Sequence, residues 1–186
     1  MSAPSPAAPH PSAVPPAGNR WRHLRVIKAV VNIGVGESGE RRAKAEKVLQ
    51  MLAQQKPVAT RSHATNRDFG IRVGQEIGVK VTLRGETATA FLHRAFEARD
   101  NQFDPDSIDA DGNFSFGIRD YTDFTGMKYD PAIGIFGMDI SVEVGRAGWR
   151  VRDRRTQPAS LPSNVRVSAD ETRKFLVEQF GVTLLE

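Results

Sequence analysis

Asp68-Phe-Gly-Ile-Arg-Val-Gly-Gln-Glu-Ile-Gly-Val-Lys-Val-Thr-Leu-Arg-Gly85 alternates strictly through its second half. Ile77, Val79, Val81 and Leu83 fall on one face of a strand, and Gly78, Lys80, Thr82 and Arg84 on the other. Any polar residues would serve as the outer face of a half-buried strand. This face carries two cations, a hydroxyl and a glycine, and no acid. It can lie against a phosphate backbone, or it can simply be solvated, and the strand alone favours solvation. Just upstream, Arg61, Arg67, Phe69 and Arg72 add bases and an aromatic.

Working outward, Leu24 to Ile33 reads as a first strand, with Val26, Val30 and Val31 as β-branched bulk. A helix follows, with Ser38 as the expected N-cap and Ala45, Val48, Leu49 and Leu52 as its apolar stripe. A second helix spans Glu86 to Arg99, its core stripe Ala88, Phe91, Leu92, Ala95 and Phe96. Phe114, Phe116 and Ile118 alternate with polar or small residues, as do Met138, Ile140, Val142 and Val144, so two more half-buried strands are expected. Residues 119 to 137 between them read as irregular. Ser168 and Glu171 form a capping box for a last helix, with Phe175, Leu176 and Phe180 as its stripe and Gly181 as its stop.

The chain has 186 residues, enough for one sizeable core, and no cysteine. That composition excludes a disulfide framework, a thiolate metal site and a cysteine nucleophile. No apolar run reaches membrane-helix length. Residues 1–19 are Pro-, Ala- and Ser-rich, lack the pattern of a secretion signal, and are expected to be a disordered tail. Residues 20–186 are expected to form one domain.

Charge is segregated along the chain. Residues 20–56 hold nine Lys or Arg against three acids, and residues 97–143 hold three against eleven. Residues 144–167 return to six against one. Two surfaces of opposite sign follow. The basic one attracts nucleic acid through counterion release. The acids suit a basic protein partner, or simply a solvated, turn-rich region. Arg150, Arg152, Arg154 and Arg155, with Trp149 beside them, stand in a loop at 145–167 that shows no core pattern. Bases interleaved with an aromatic suit a folded RNA.

Four motifs need weighing. Gly34, Gly36 and Gly39 follow a strand and precede a helix, which is the dinucleotide-binding spacing and the basis of an alternative reading as a phosphate- or dinucleotide-binding enzyme. That reading also requires a buried parallel strand ending in an acid, and Gln54 to His63 supplies neither. Asp68-Phe-Gly70 lacks every other part of a kinase. Asp104 to Gly112 resembles a calcium loop, but Ile118 stands where its bidentate Glu belongs, so a turn at 111–113 is expected. His93 has no partner at metal-ligand spacing. No catalytic set, metal site or cofactor is expected.

Val30-Val-Asn-Ile-Gly-Val-Gly-Glu37, Gln55-Lys-Pro57, Arg67-Asp-Phe-Gly-Ile-Arg72, Ile77 to Arg84, Gly112-Asn-Phe-Ser-Phe-Gly117, Tyr129-Asp130 and Gly137-Met-Asp-Ile140 occur in one family's order and spacing. From about Leu24 to Val182 the sequence resembles the large-subunit ribosomal protein L-five family, the universal 5S rRNA-binding protein, in its archaeal type. The resemblance implies an α+β fold: an antiparallel β-sheet with helices packed on one face and an open face for RNA. It implies a structural, non-enzymatic constituent of the cytoplasmic ribosome that binds 5S rRNA and attaches it in the central protuberance. Matching positions for RNA contact are Asn32, Gln55, Phe69 and Thr82. Hydrogen bonds to 2′-hydroxyls, phosphates or base edges suit the first two and Thr82. Phe69 would either stack on a base or brace its loop. Lys80, Arg84, Arg61 and Arg67 would neutralise phosphates. Arg72, Val73, Gly74 and Gln75 match a loop near the P-site tRNA. Further implied partners are large-subunit rRNA, other central-protuberance proteins and the small subunit's protein thirteen, with no membrane.

Overall fold

The computed structural model describes residues 22–162 and 165–185, and the expected tail at 1–19 lies outside them. In chain order the elements are β1 (Arg25–Gly34), α1 (Glu40–Ala53), β2 (Val58–Arg61), β3 (Glu76–Leu83), α2 (Glu86–Glu97), β4 (Gln102–Phe103), β5 (Phe114–Ile118), β6 (Met138–Gly145), α3 (Arg150–Asp153), α4 (Ala169–Phe180) and β7 (Thr183–Leu184). Five strands make one sheet in the order β2-β3-β1-β6-β5, antiparallel at every pairing. A small parallel pair, β4 with β7, stands apart. The fold is therefore α+β. No helix among the described residues is long and apolar enough to cross a membrane.

The alternation in β3 sets the layers. Val79, Val81 and Leu83 are buried, and so are Ala29, Val31 and Ile33 of β1 and Met138, Ile140 and Val142 of β6. Against this inner face lie the apolar stripes of α1, α2 and α4, all joined in one hydrophobic cluster. Phe96 of α2 is its aromatic hub. Its ring centroid stands 5.0 Å from Phe116, 5.3 Å from Phe180, and 6.2 Å from both Phe103 and Phe114.

Gly112 lets the turn before β5 reach α4. Its φ is +76°, and a Cβ there would meet Thr172 Oγ1 and Val167 Cγ1, each at 2.7 Å. Only glycine permits that approach. The fully buried Thr172 hydroxyl then donates to the Gly112 carbonyl at 2.9 Å, which ties α4 to the sheet. The α4 capping box forms as its sequence indicates: Ser168 Oγ accepts from Glu171 N–H, and the Glu171 carboxylate accepts from Ser168 N–H.

Two expectations need correction. Ser38 does not cap α1. Gly39, at φ 111°, occupies the N-cap with no side-chain bond, and Ser38 Oγ accepts from Gln75 Nε2 instead. After α1 comes β2, which is not the buried parallel strand a dinucleotide fold requires: it runs antiparallel to β3 and its residues are exposed or half-buried. It is an edge strand held to β3 by backbone pairing, so it needs no apolar run. Finally, the loop at 145–167 is not without core character. It contains α3, and Trp149 is only 5% exposed.

Candidate nucleic-acid interface

The outer face of the sheet can be read off the register. Residues opposite one another share a face. Val58, Lys80, Asn32, Asp139 and Gly117 therefore form one row across all five strands, and Thr82, Val30, Ser141 and Ser115 form the next. Lys80, Thr82, Ser141, Ser115 and Asp139 are exposed, and Asn32 is half-buried. The helix stripes on the opposite side leave these two rows bare. Charge falls across the face, from Lys80 on β3 to Asp139 on β6. The β2-β3-β1 half is thus the one suited to an anion. Val58 is an exposed apolar member of the face, which the sequence did not single out. Gln55 is exposed in the turn after α1, three residues before Val58.

Residues 62 to 75 form a projecting loop between β2 and β3 that is braced by its own polar groups. Ser62 N–H donates to the Gln75 carbonyl, and Gly74 N–H to the Ser62 carbonyl, both at 2.8 Å. Asn66 and Ile71 form a bridge, and Asn66 Oδ1 accepts from Asp68 N–H. Phe69 sits at the tip, 75% exposed. The loop's bonds hold its shape without that ring, so bracing is not its role. Arg67, Arg72, Val73 and Gly74 are exposed as well. Gln75 is engaged internally: its Nε2 donates to Ser38, and its Oε1 accepts from Arg72 N–H at 3.0 Å. Arg61 is exposed but stands 3.5 Å from Glu76. Of the cations on this side, Lys80, Arg84, Arg67 and Arg72 have no ion-pair partner among the described residues.

One end of the outer face is built differently. Glu143 of β6 points outward by register yet is only 9% exposed. Three donors converge on it: Lys28 at 2.7 Å, Trp149 Nε1 at 2.6 Å and Arg152 at 3.2 Å. The Arg152 guanidinium lies 4.3 Å from the Trp149 ring centroid. This latch folds α3 over the last row of the sheet. Arg152 is thus paired within the fold although its side chain is 45% exposed; Arg150, Arg154 and Arg155 are exposed as well, with Arg154 Nε donating to the Gln157 carbonyl. Arg146 is paired within the fold too, bonding Glu171 at 2.7 Å and the carbonyls of Arg22 and Arg166. The sequence places Trp149 among bases but gives no sign that an acid on another strand claims it.

The glycine loop does not form a phosphate cradle. Both strands beside β1, β3 and β6, are antiparallel to it, and the N–H groups of Val35 and Gly36 both donate to the Ile77 carbonyl, at 3.0 and 2.9 Å. A dinucleotide site needs a parallel neighbour and free N–H groups at that turn. The acids of the middle segment serve turns. Asp104, Asp120 and Asp130 each accept from the N–H two residues on. Asp104, Asp106, Asp109, Asp111, Asp123 and Asp130 nevertheless remain exposed.

Fold and face together define a class: an α+β protein that stacks its helices on one side of an antiparallel sheet and leaves most of the other side polar and bare. Residues 19–72 match the family described as Ribosomal protein L5, and residues 76–182 match the C-terminus of the same ribosomal protein family. The large ribosomal subunit protein uL5 of Picrophilus torridus is 50% identical over 168 residues, covering 90% of this chain and 96% of that protein. Its counterparts in Methanosphaera stadtmanae and Sulfurisphaera tokodaii are 46% and 47% identical, covering 86% and 90% of this chain and 95% and 96% of theirs. The chain belongs to the ribosomal protein L5 family, in its archaeal form. It is accordingly a structural, non-enzymatic constituent of the large subunit of the cytoplasmic ribosome, and its work is translation.

Proposed function

We propose that the bare half of the sheet binds 5S rRNA and fixes it in the central protuberance of the large subunit. One observation carries this reading. Lys80 and Thr82 point outward and are exposed, Asn32 lies between them and β6, and no helix among the described residues covers the three. Cation, hydroxyl and amide on one flat surface are the chemistry of phosphate and 2′-hydroxyl recognition. Gln55 and Arg61 extend it along the β2 edge, and Arg84 and Arg67 add cations. Phe69, exposed at the tip of a self-braced loop, offers its ring to an unstacked base. The same loop carries Arg72, Val73 and Gly74 toward the P-site tRNA. The exposed loop arginines 154 and 155 face large-subunit rRNA. The exposed acids between β4 and β6 meet basic neighbours: the small subunit's protein thirteen and other proteins of the central protuberance.

Salt dependence of binding tests the face directly. Lys80→Gln is expected to lower the slope of log affinity against log salt for 5S rRNA by about 1 and to weaken binding to all RNA sequences alike. A slope that does not move would mean that Lys80 faces no phosphate.

A further inference from the structure

The latched end of the outer face forms a cleft of about 450 Å³. Arg25 of β1, Arg84 after β3 and Arg150 of α3 line it, with the Trp149 ring as part of its wall. Gly85 and Gly148 also line it, and among the described residues no acidic side chain does. Among the described residues none of the three arginines has an ion pair or a side-chain hydrogen bond. Other arginines of this chain are treated differently: Arg42, Arg61, Arg146, Arg152 and Arg173 each stand within 3.5 Å of a carboxylate. Three like charges lining one cleft repel one another, and no acid among the described residues lines it to offset that cost. Guanidinium groups are weakly hydrated and match phosphate oxygens two at a time. Neither glycine meets anything within 4 Å of an added Cβ, so a backbone phosphate can approach the main chain on both sides.

From this we infer that Arg25, Arg84 and Arg150 form a phosphodiester-binding cleft, assembled by the Glu143 latch, that grips the RNA backbone where it leaves the sheet. The inference rests on the RNA-binding reading of the sheet above. Arg150 belongs to a four-residue helix, too short to hold a position by its own hydrogen bonds. What fixes it beside Arg84 is the bond from Trp149, its neighbour, to Glu143. Glu143 is thus a positioning residue for the cleft.

The test is 5S rRNA binding at several salt concentrations, with the full chain and two variants. Arg25→Gln/Arg84→Gln/Arg150→Gln changes only exposed side chains, so it folds, which circular dichroism checks. It should lose about 2–3 from the salt slope. If the wild type binds 5S rRNA and the triple variant keeps its slope, the cleft is wrong and Arg84 drops out of the RNA-binding set, while Lys80, Thr82 and Asn32 of the sheet face stand. Should the wild type itself not bind, both fall. Glu143→Gln separates positioning from charge, because it removes a negative charge and by electrostatics alone would tighten RNA binding. Positioning predicts the opposite sign, several-fold weaker binding. It also predicts a red shift of Trp149 fluorescence in a Trp21→Phe background, as the ring leaves its buried seat. Tighter binding with unshifted fluorescence would overturn the latch.

Discussion

Phe96→Ala lowers the unfolding free energy by about 3–5 kcal/mol. The side chain is 1% exposed and touches four other rings, contributed by β4, β5 and α4. None of these elements can close the void alone, because each is anchored elsewhere. The sheet holds Phe114 and Phe116 in register opposite Val142 and Ile140. α4 is fixed at its start by the capping box and the Thr172 bond to Gly112. Relaxation is therefore small and the cavity term large. Domains of this size have total stabilities of about 5–15 kcal/mol, so the variant sits near the edge of folding. Urea unfolding followed by circular dichroism measures the effect as a lower midpoint with an unchanged slope. A loss under about 1 kcal/mol would show that the aromatic cluster can collapse around the gap, and that it is not the hub of the core.

Phe69→Ala is expected to do the reverse: nothing to the fold and much to RNA binding. The ring is 75% exposed, and the loop beneath it is closed by the Ser62–Gln75, Gly74–Ser62 and Asn66–Ile71 bonds. Unfolding free energy should change by less than about 0.5 kcal/mol. Affinity for 5S rRNA should fall by about 1–3 kcal/mol, the worth of one base stacked on an aromatic ring. Phe69→Tyr should retain most of it, because the π-face survives. Equal affinity for Phe69→Ala and the wild type, measured by filter binding on folded protein, would remove the stacking role. A large loss of stability instead would mean that the ring supports the loop after all.

The two phenylalanines show what was legible in the sequence. Phe96 lies on a helical stripe with Ala88, Phe91, Leu92 and Ala95, and period alone buries it. Likewise β3 declares its inner and outer faces by strict alternation, and Ser168 with Glu171 declares the start of α4. In each case the cause is local, so residues a few positions apart suffice. Phe69 is different, because its partner is not in the chain. The sequence leaves open whether it stacks or braces, and only the hydrogen-bond pattern of the loop removes the second choice.

Non-local causes hid the rest. β2 is held by main-chain bonds to β3, which leave no trace in side-chain pattern, and its Val58 faces outward, against the usual rule. Ser38 has the chemistry of an N-cap, but Gln75, far along the chain, takes its hydroxyl. Trp149 reads as an aromatic among bases until Glu143 on β6 is placed beneath it. The same juxtaposition turns Arg152 from a free cation into a paired one and makes Arg25 a candidate contact, which no spacing suggests. Family resemblance pointed to Asn32 and Gln55, whose own neighbours in sequence say little. The register then puts Asn32 beside Lys80 on the outer face.

Photo-crosslinking decides most directly whether folded RNA covers the bare side of the sheet. A benzophenone amino acid replaces Thr82 in one protein and Gln50, on the exposed side of α1, in another. Each is irradiated with 5S rRNA and mapped at single-nucleotide level. A face that holds RNA gives strong crosslinks from position 82 and none from position 50. Crosslinks from position 50 with silence at 82 would place the RNA on the helical side and contradict the account.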